Sequence, residues 1–373
     1  MSSKNISNSK ICFLSLQSYP LLTEKNLGYV EGGAEVEQVF LARELVAHGY
    51  DVCFVTYRHG ASKMEYANGI KIIKTYERDK INKMSVLQKY KSIWSALKKA
   101  NADMYFHESG ATGVLPVFCG INRKKFVYRI ASDAVVLSKP LSGNYSLSQK
   151  IAYMLEIKRA DVVVAQSNFQ RRVLKERFGV ENVVIKNGLV IPEDDYEKQS
   201  PPTVLWVGSI SSIKQPHLFV ELAKSVPNVN FEMIGGKGDP QLYEEIKAAS
   251  QKLPNLTFHG FIPFHKINEY FRKASIFVNT SKIEGFPNTF IQAWAHRTLV
   301  VSLKVDPDNI MQDEKLGFCS ATFKQLVSDV STLLKNEKLR KTMGKNARKY
   351  VEREHDIKKT VKRYIQIFDQ LLT

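Results

Sequence analysis

The stretch Ser281-Lys-Ile-Glu-Gly-Phe-Pro-Asn-Thr-Phe-Ile-Gln-Ala-Trp-Ala295 carries the residues best spaced for chemistry. Before it, Ser275-Ile-Phe-Val-Asn279 is an apolar, β-branched run that reads as a buried parallel strand. From Asn288 the pattern turns helical, with Phe290, Ile291, Trp294 and Ala295 on one side. Glu284 and Gly285 therefore fall at the carboxyl end of a strand, where open α/β sheets bind ligands. The helix start adds backbone amides and a positive dipole end, which suit phosphate oxygens. A plain strand–turn–helix with an incidental surface glutamate fits the same spacing.

Other candidates recur at equivalent places. Gly208-Ser-Ile-Ser-Ser-Ile-Lys214 follows the strand Val204 to Val207, and Lys214 brings a cation into that turn. Gly235-Gly-Lys-Gly238 follows Val229 to Ile234, and His259-Gly-Phe-Ile262 follows Leu256 to Phe258. In the first half, Gly32-Gly33 separates the strand Ile11 to Leu16 from a helix carrying Val36, Val39, Phe40, Ala42, Leu45 and Val46. Paired glycines let backbone approach a ligand closely, although the full GxGxxG fingerprint is absent. His107 ends the strand Met104 to Phe106, and Asp133 follows Phe126 to Ile130. A satisfied structural histidine and a helix-capping aspartate are the competing readings of these two.

Positioning such residues takes alternating strands and helices, and the chain supplies two series of them. Asp51 to Thr56, Ile70 to Ile73 and Val162 to Ala165 complete the first, and Leu299 to Leu303 the second. This predicts an α/β fold of two Rossmann-like, doubly wound parallel-sheet domains facing a ligand cleft. At 373 residues and 44% apolar, the chain exceeds the usual size of one core. The expected division is a first domain over 1–191, a polar, proline-rich linker over 192–202, and a second domain over 203–354. A terminal helix over 355–373 follows, with Val361, Tyr364, Ile365, Ile367, Phe368 and Leu371 at helical spacing.

Composition narrows the function classes. The net charge of +17 divides evenly: 28 basic and 19 acidic residues through Tyr196, then 26 and 18. An even excess suits anionic ligands or surfaces and argues against one confined nucleic-acid patch. Residues 78–99 are the exception, with seven basic residues and one acid. There Leu87, Tyr90, Trp94 and Leu97 recur beside Lys89, Lys91, Lys98 and Lys99, a basic amphipathic pattern suited to anionic lipid or to a solvated helix face. No apolar run is long enough to span a bilayer, and Met1 to Lys10 is too polar for a secretory signal. Cys12, Cys53, Cys119 and Cys319 form no CxxC pair and read as reduced, buried residues of a cytoplasmic protein. Asp306-Pro-Asp308 reads as a proline turn, and no cluster has metal-ligand spacing.

Taken together, Gly32-Gly-Ala-Glu35, Gly208 with Lys214, His259-Gly-Phe-Ile262 and Glu284-Gly-Phe-Pro-Asn-Thr-Phe-Ile-Gln292 resemble the motifs of retaining GT-B glycosyltransferases. These belong to the large family of bacterial cell-surface polysaccharide enzymes (family four type). The resemblance covers nearly the whole chain. It implies transfer of a sugar from a nucleotide-diphosphate donor, uridine rather than guanosine, to a saccharide or lipid-linked saccharide. No metal or other cofactor is implied, and the terminal helix should cross back to the first domain. Residues 78–99 would meet the inner face of the membrane. The family pattern gives Lys214, Glu284 and His107 catalytic roles. Gly33, Gly208, Ser209, Ile262, Gly285, Phe286, Asn288 and Gln292 would contact the donor, and Asp133 would lie on the acceptor side. Ser209 stands where the family carries arginine, and Gln292 where it carries a second glutamate. Two alternatives share the fold: a nucleotide-sugar epimerase, and a binding protein without activity.

Overall fold

The computed structural model describes residues 9–25, 27, 32–108, 110–137, 146–193 and 198–373. The chain forms two compact units, one built mainly from Glu31–Gly188 with Ile357–Thr373, the other from Leu189–Asp356.

The first unit holds strands β1 (Lys10–Leu14), β2 (Asp51–Arg58), β3 (Met64–Ala67), β4 (Ile70–Glu77), β5 (Met104–Glu108), β6 (Lys125–Arg129), β7 (Val162–Ala165) and β8 (Asn182–Val184). They form one sheet in the order β3-β4-β2-β1-β5-β6-β7-β8. All pairings are parallel except β3 with β4. The central strands are continuous apolar runs because helices cover both faces. Helices α1 (Tyr19–Thr23) and α2 (Gly33–Ala47) come first in the chain. After them come α3 (Val86–Ala100), α4 (Val114–Asn122), α5 (Asp133–Leu137), α6 (Leu147–Arg159) and α7 (Asn168–Phe178). Ile93, Leu97, Leu115, Phe118, Tyr153 and Ile157 of α3, α4 and α6 pack on one face against Tyr105 and Tyr128. Val39 and Leu45 of α2 pack on the other, against Phe13, Phe54 and Phe106.

The second unit holds β9 (Thr203–Val207), β10 (Asn230–Ile234), β11 (Leu256–Gly260), β12 (Ile276–Asn279), β13 (Leu299–Ser302) and β14 (Gly317–Cys319). They form an all-parallel sheet in the order β11-β10-β9-β12-β13-β14. Its helices are α8 (Pro216–Ser225), α9 (Pro240–Ser250), α10 (Phe264–Lys273), α11 (Asn288–Ala295), α12 (Ile310–Asp313), α13 (Phe323–Lys335) and α14 (Glu337–Glu354). Trp294 of α11 is fully buried and meets Tyr350 of α14 edge-on, with ring centroids 5.7 Å apart. The last helix, α15 (Ile357–Leu372), returns to the first unit. There Val361, Tyr364 and Phe368 join the face covered by α2.

Several expectations change. The units divide at Gly188 and at Asp356, outside the 192–202 stretch. Part of that stretch, residues 194–197, lies outside the described residues. Its flanks are tied into the second unit. Arg348 donates to the Pro192 carbonyl at 2.8 Å, and Lys198 donates to the carbonyls of Phe271, Arg272 and Ala274 and to Thr298 at 2.7–3.1 Å. Residues 78–83 form a 3₁₀ turn, and the amphipathic helix starts only at Val86, where Ser85 and Gln88 build a capping box. Cys319 is exposed, being the last residue of the edge strand β14. Strands β3, β8 and β14, three or four residues long, were not expected from the sequence.

Candidate active site

In the second unit β10, β9 and β12 lie side by side, so the segments after them share one carboxyl edge. The turn after β9 is stitched to the loop after β10 through backbone. Gly208 N donates to Ile234 O (3.1 Å), Ile210 N to Gly236 O (3.0 Å) and Asp239 N to Ile210 O (2.8 Å). This approach requires glycine. A Cβ on Gly235 would lie 2.9 Å from the Gly208 carbonyl oxygen, and one on Gly238 would lie 2.8 Å from that of Ile210.

The same turn is clamped on its other side to the segment after β12. Thr280 is fully buried; its hydroxyl accepts from Trp206 Nε1 at 3.0 Å and donates to the Lys214 carbonyl at 2.6 Å. Lys282 N donates to Ile213 O at 2.9 Å. With its backbone fixed, Lys214 sends its ammonium to Glu284 Oε1. The Ser281 hydroxyl donates to that same oxygen at 2.6 Å. Both ends of the ion pair reach solvent, with side-chain exposures of 27% and 14%. Downstream, α11 starts at Asn288, directly after the Glu284–Pro287 loop. A cation, a carboxylate and a helix N-terminus thus converge at one sheet edge, an arrangement that can hold a diphosphate beside a hydroxyl-bearing group.

Of the residues singled out in the sequence, Gly208, Ser209, Lys214, Glu284, Gly285 and Asn288 fall within these two connected segments. The Phe286 ring packs against His355 (4.8 Å) and Trp294 (6.4 Å), which leaves its backbone to face a ligand. Gln292 is 3% exposed, and its amide donates to Asn268 Oδ1 at 3.3 Å, which leaves the carbonyl as acceptor. Ile262 is half-buried in the loop between β11 and α10. Asp306 and Asp308 flank Pro307 in a 3₁₀ turn, where Asp306 Oδ1 accepts from Met311 N at 3.0 Å. Among the described residues, no group of His, Cys, Asp or Glu is arranged to hold a metal.

The remaining three candidates belong to the first unit. Gly33 opens α2. His107 is 3% exposed, and its Nδ1 lies 2.7 Å from Glu156 Oε2. The other oxygen of Glu156 accepts from the amides of Thr112 and Gly113 at 2.9 and 3.0 Å. The ring is thus held inside the unit, as a satisfied structural histidine would be. Asp133 stands in the first turn of α5, its Oδ1 accepting from Gln170 Nε2 at 2.8 Å.

The first unit also holds a charged cluster that the sequence reading missed. Arg129, fully buried, pairs with Glu108, donates to Asn187 Oδ1 at 2.5 Å and lies 4.0 Å from Glu37. Burial pushes the Glu37 carboxyl up to about 7 and that of Glu108 up to about 8, against the pull of Arg129. Glu37 Oε2, Glu108 Oε2 and Arg129 Nε make no hydrogen bond among the described residues. Charged residues ending the apolar strands β5 and β6 were the available signal. In the second unit, the overlooked residues are Asn279, Thr280 and Ser281, a polar run closing a buried strand.

Comparison with known proteins bears on the family and the fold. Residues 191–350 match the profile of Glycosyl transferases group 1, and residues 31–191 that of Glycosyltransferase Family 4. An uncharacterized glycosyltransferase of Methanocaldococcus jannaschii is 25% identical over 224 residues, which are 59% of this chain and 61% of that protein. The alpha-monoglucosyldiacylglycerol synthase of Acholeplasma laidlawii is 27% identical over 131 residues, 35% of this chain and 33% of that one. The chain therefore spans at most about three-fifths of the length of these two curated relatives. In fold it is similar to sucrose-phosphate synthase from Thermosynechococcus elongatus, with a TM-score of 0.80 at 19% identity, covering 98% of this chain and 99% of that one.

Proposed function

Since the chain belongs to the group 1, family-four glycosyltransferases of GT-B fold, we propose that it moves a sugar from a nucleotide-diphosphate donor to a saccharide or lipid-linked saccharide. The observation that carries this reading is the Lys214–Glu284 pair, partly open to solvent beside the start of α11. Breaking a sugar–diphosphate bond builds negative charge on the departing phosphate and positive charge on the ring. Lys214 and the first amides of α11 stabilise the phosphate, so the reaction runs without a metal. Glu284 takes hydroxyls of the donor sugar, and the Gln292 carbonyl takes a ribose hydroxyl. Transfer retains the anomeric configuration, and the donor is a uridine-diphosphate sugar.

The acceptor is met at a membrane. Val86, Leu87 and Tyr90 of α3 are exposed, by 68%, 64% and 41%, beside Lys91. Helix α3 contains no acidic residue, a composition suited to an anionic bilayer. Among the described residues no helix is long and apolar enough to cross one. The Acholeplasma relative is named for a glucosylated diacylglycerol, itself a membrane lipid, which supports a membrane setting.

A thermal-shift screen of nucleotides and nucleotide sugars in EDTA tests the donor reading, because a ligand bound only by the native state raises Tm. A uridine-diphosphate sugar should give the largest shift, and proton NMR should show its product keeping the donor's anomeric configuration. No shift from any nucleotide sugar, or a strict need for magnesium or manganese, would overturn it.

A further inference from the structure

We propose that Ser281 is a positioning residue that decides which oxygen of Glu284 faces Lys214 and which is presented to the donor. The inference rests on the donor-site reading above, and it adds a residue that makes no contact with substrate.

The geometry leaves Ser281 little choice. It is 1% exposed and sits two residues beyond the end of β12. Its amide donates to Asn279 Oδ1 at 3.1 Å, and its hydroxyl accepts from Asn279 Nδ2 at 3.2 Å. Asn279, 5% exposed, thus grips Ser281 through both ends of its amide. A hydroxyl has one proton, and here that proton goes to Glu284 Oε1 at 2.6 Å. The Lys214 ammonium lands on the same oxygen. Both hydrogen bonds of the carboxylate are therefore concentrated on Oε1, and Oε2 makes none among the described residues. Oε2 is left as the acceptor for a sugar hydroxyl.

Lys214 alone cannot enforce that arrangement. A flexible ammonium follows either oxygen of a rotating carboxylate, whereas the Ser281 hydroxyl is anchored to the strand end through Asn279. Without Ser281, Glu284 would keep its charge and its ion pair but lose the fixed direction of Oε2. The effect should fall on the sugar and spare the diphosphate.

The test compares Ser281→Ala, Ser281→Thr and Glu284→Ala, alone and combined, with uridine diphosphate and UDP-glucose as probes. Calorimetric titration should show Ser281→Ala weakening UDP-glucose about tenfold while leaving uridine diphosphate within about twofold. Ser281→Thr, which keeps the hydroxyl, should restore UDP-glucose affinity. In the Glu284→Ala background Ser281→Ala should cost nothing further, since the oxygen it orients is gone. The proposal is overturned if Ser281→Ala binds UDP-glucose like the parent. Equal weakening of both probes, or a full additional loss in the Glu284→Ala background, would also overturn it. Failure of the donor-site reading looks different: Glu284→Ala itself would then bind UDP-glucose normally.

Discussion

Each unit places a carboxyl group and a cation at the carboxyl edge of its sheet, and the two pairs have opposite characters. Arg129 with Glu108 and Glu37 is sealed, every member being at most 2% exposed. Lys214 with Glu284 is partly open, with side-chain exposures of 27% and 14%. A sealed pair has surrendered its hydration and needs its partner to stay folded, so it serves the scaffold. An open pair keeps water within reach and can exchange its partner for a ligand. Perturbed protonation points to the sealed cluster, since Glu37 and Glu108 are both raised, whereas solvent access points to the open pair. Solvent access separates the two.

The contrast breaks most sharply at Arg129. Arg129→Leu removes the hydrogen-bonding cation from two buried carboxyl groups and should cost about 3–5 kcal/mol of stability in the first unit. Urea unfolding followed by a probe in that unit measures it; a loss below about 1 kcal/mol would mean the cluster is not sealed in solution.

A smaller effect is expected at Glu284. Glu284→Ala should weaken nucleotide-sugar binding by about ten- to a hundredfold, the equivalent of a hydrogen bond to a charged group. Affinity for the free nucleotide should stay near that of the parent. Parallel loss of both ligands in titrations would instead indicate a collapsed loop.

The sealed cluster also makes a pH prediction. Between the ordinary carboxylate value of 4.5 and about 8, folded Glu108 holds a proton that the unfolded chain has released. Its contribution is therefore fully present below that window and fades as pH rises through it. Glu108→Gln should flatten the fall of Tm with rising pH over this range. Calorimetric scans giving parallel curves for parent and variant would show that the carboxyl is already ionised.

The mildest change sharpens the open site. Gln292→Glu restores the charge the family carries and should tighten nucleotide-sugar binding by up to about tenfold. Unchanged affinity would remove Gln292 from the ribose contact.

The central strands and α11 were legible because parallel strands buried on both faces are unbroken apolar runs, and Phe290, Ile291, Trp294 and Ala295 repeat at helical spacing. All four are at most 1% exposed. The β3–β4 hairpin was legible in principle: Asn68-Gly69 both take positive φ, the signature of a tight two-residue turn, but β3 is a four-residue edge strand with no buried residue. Strands β8 and β14 are three residues each, too short for a period to emerge. In the site, Lys214 and Glu284 stood out by charge and place. Their shared clamp did not, because a threonine hydroxyl joining Trp206 to the Lys214 carbonyl depends on contacts 66 and 74 residues apart. The packing of the Phe286 ring was hidden for the same reason, whereas the structural reading of His107 was already open in the sequence.

The claim that the open pair is the donor's phosphate site is tested most directly at Lys214. Isothermal titration of uridine diphosphate, in EDTA, should show Lys214→Ala binding at least about tenfold more weakly than the parent, one decade per 1.4 kcal/mol, with Tm unchanged. A folded Lys214→Ala protein that binds uridine diphosphate as tightly as the parent would contradict the account.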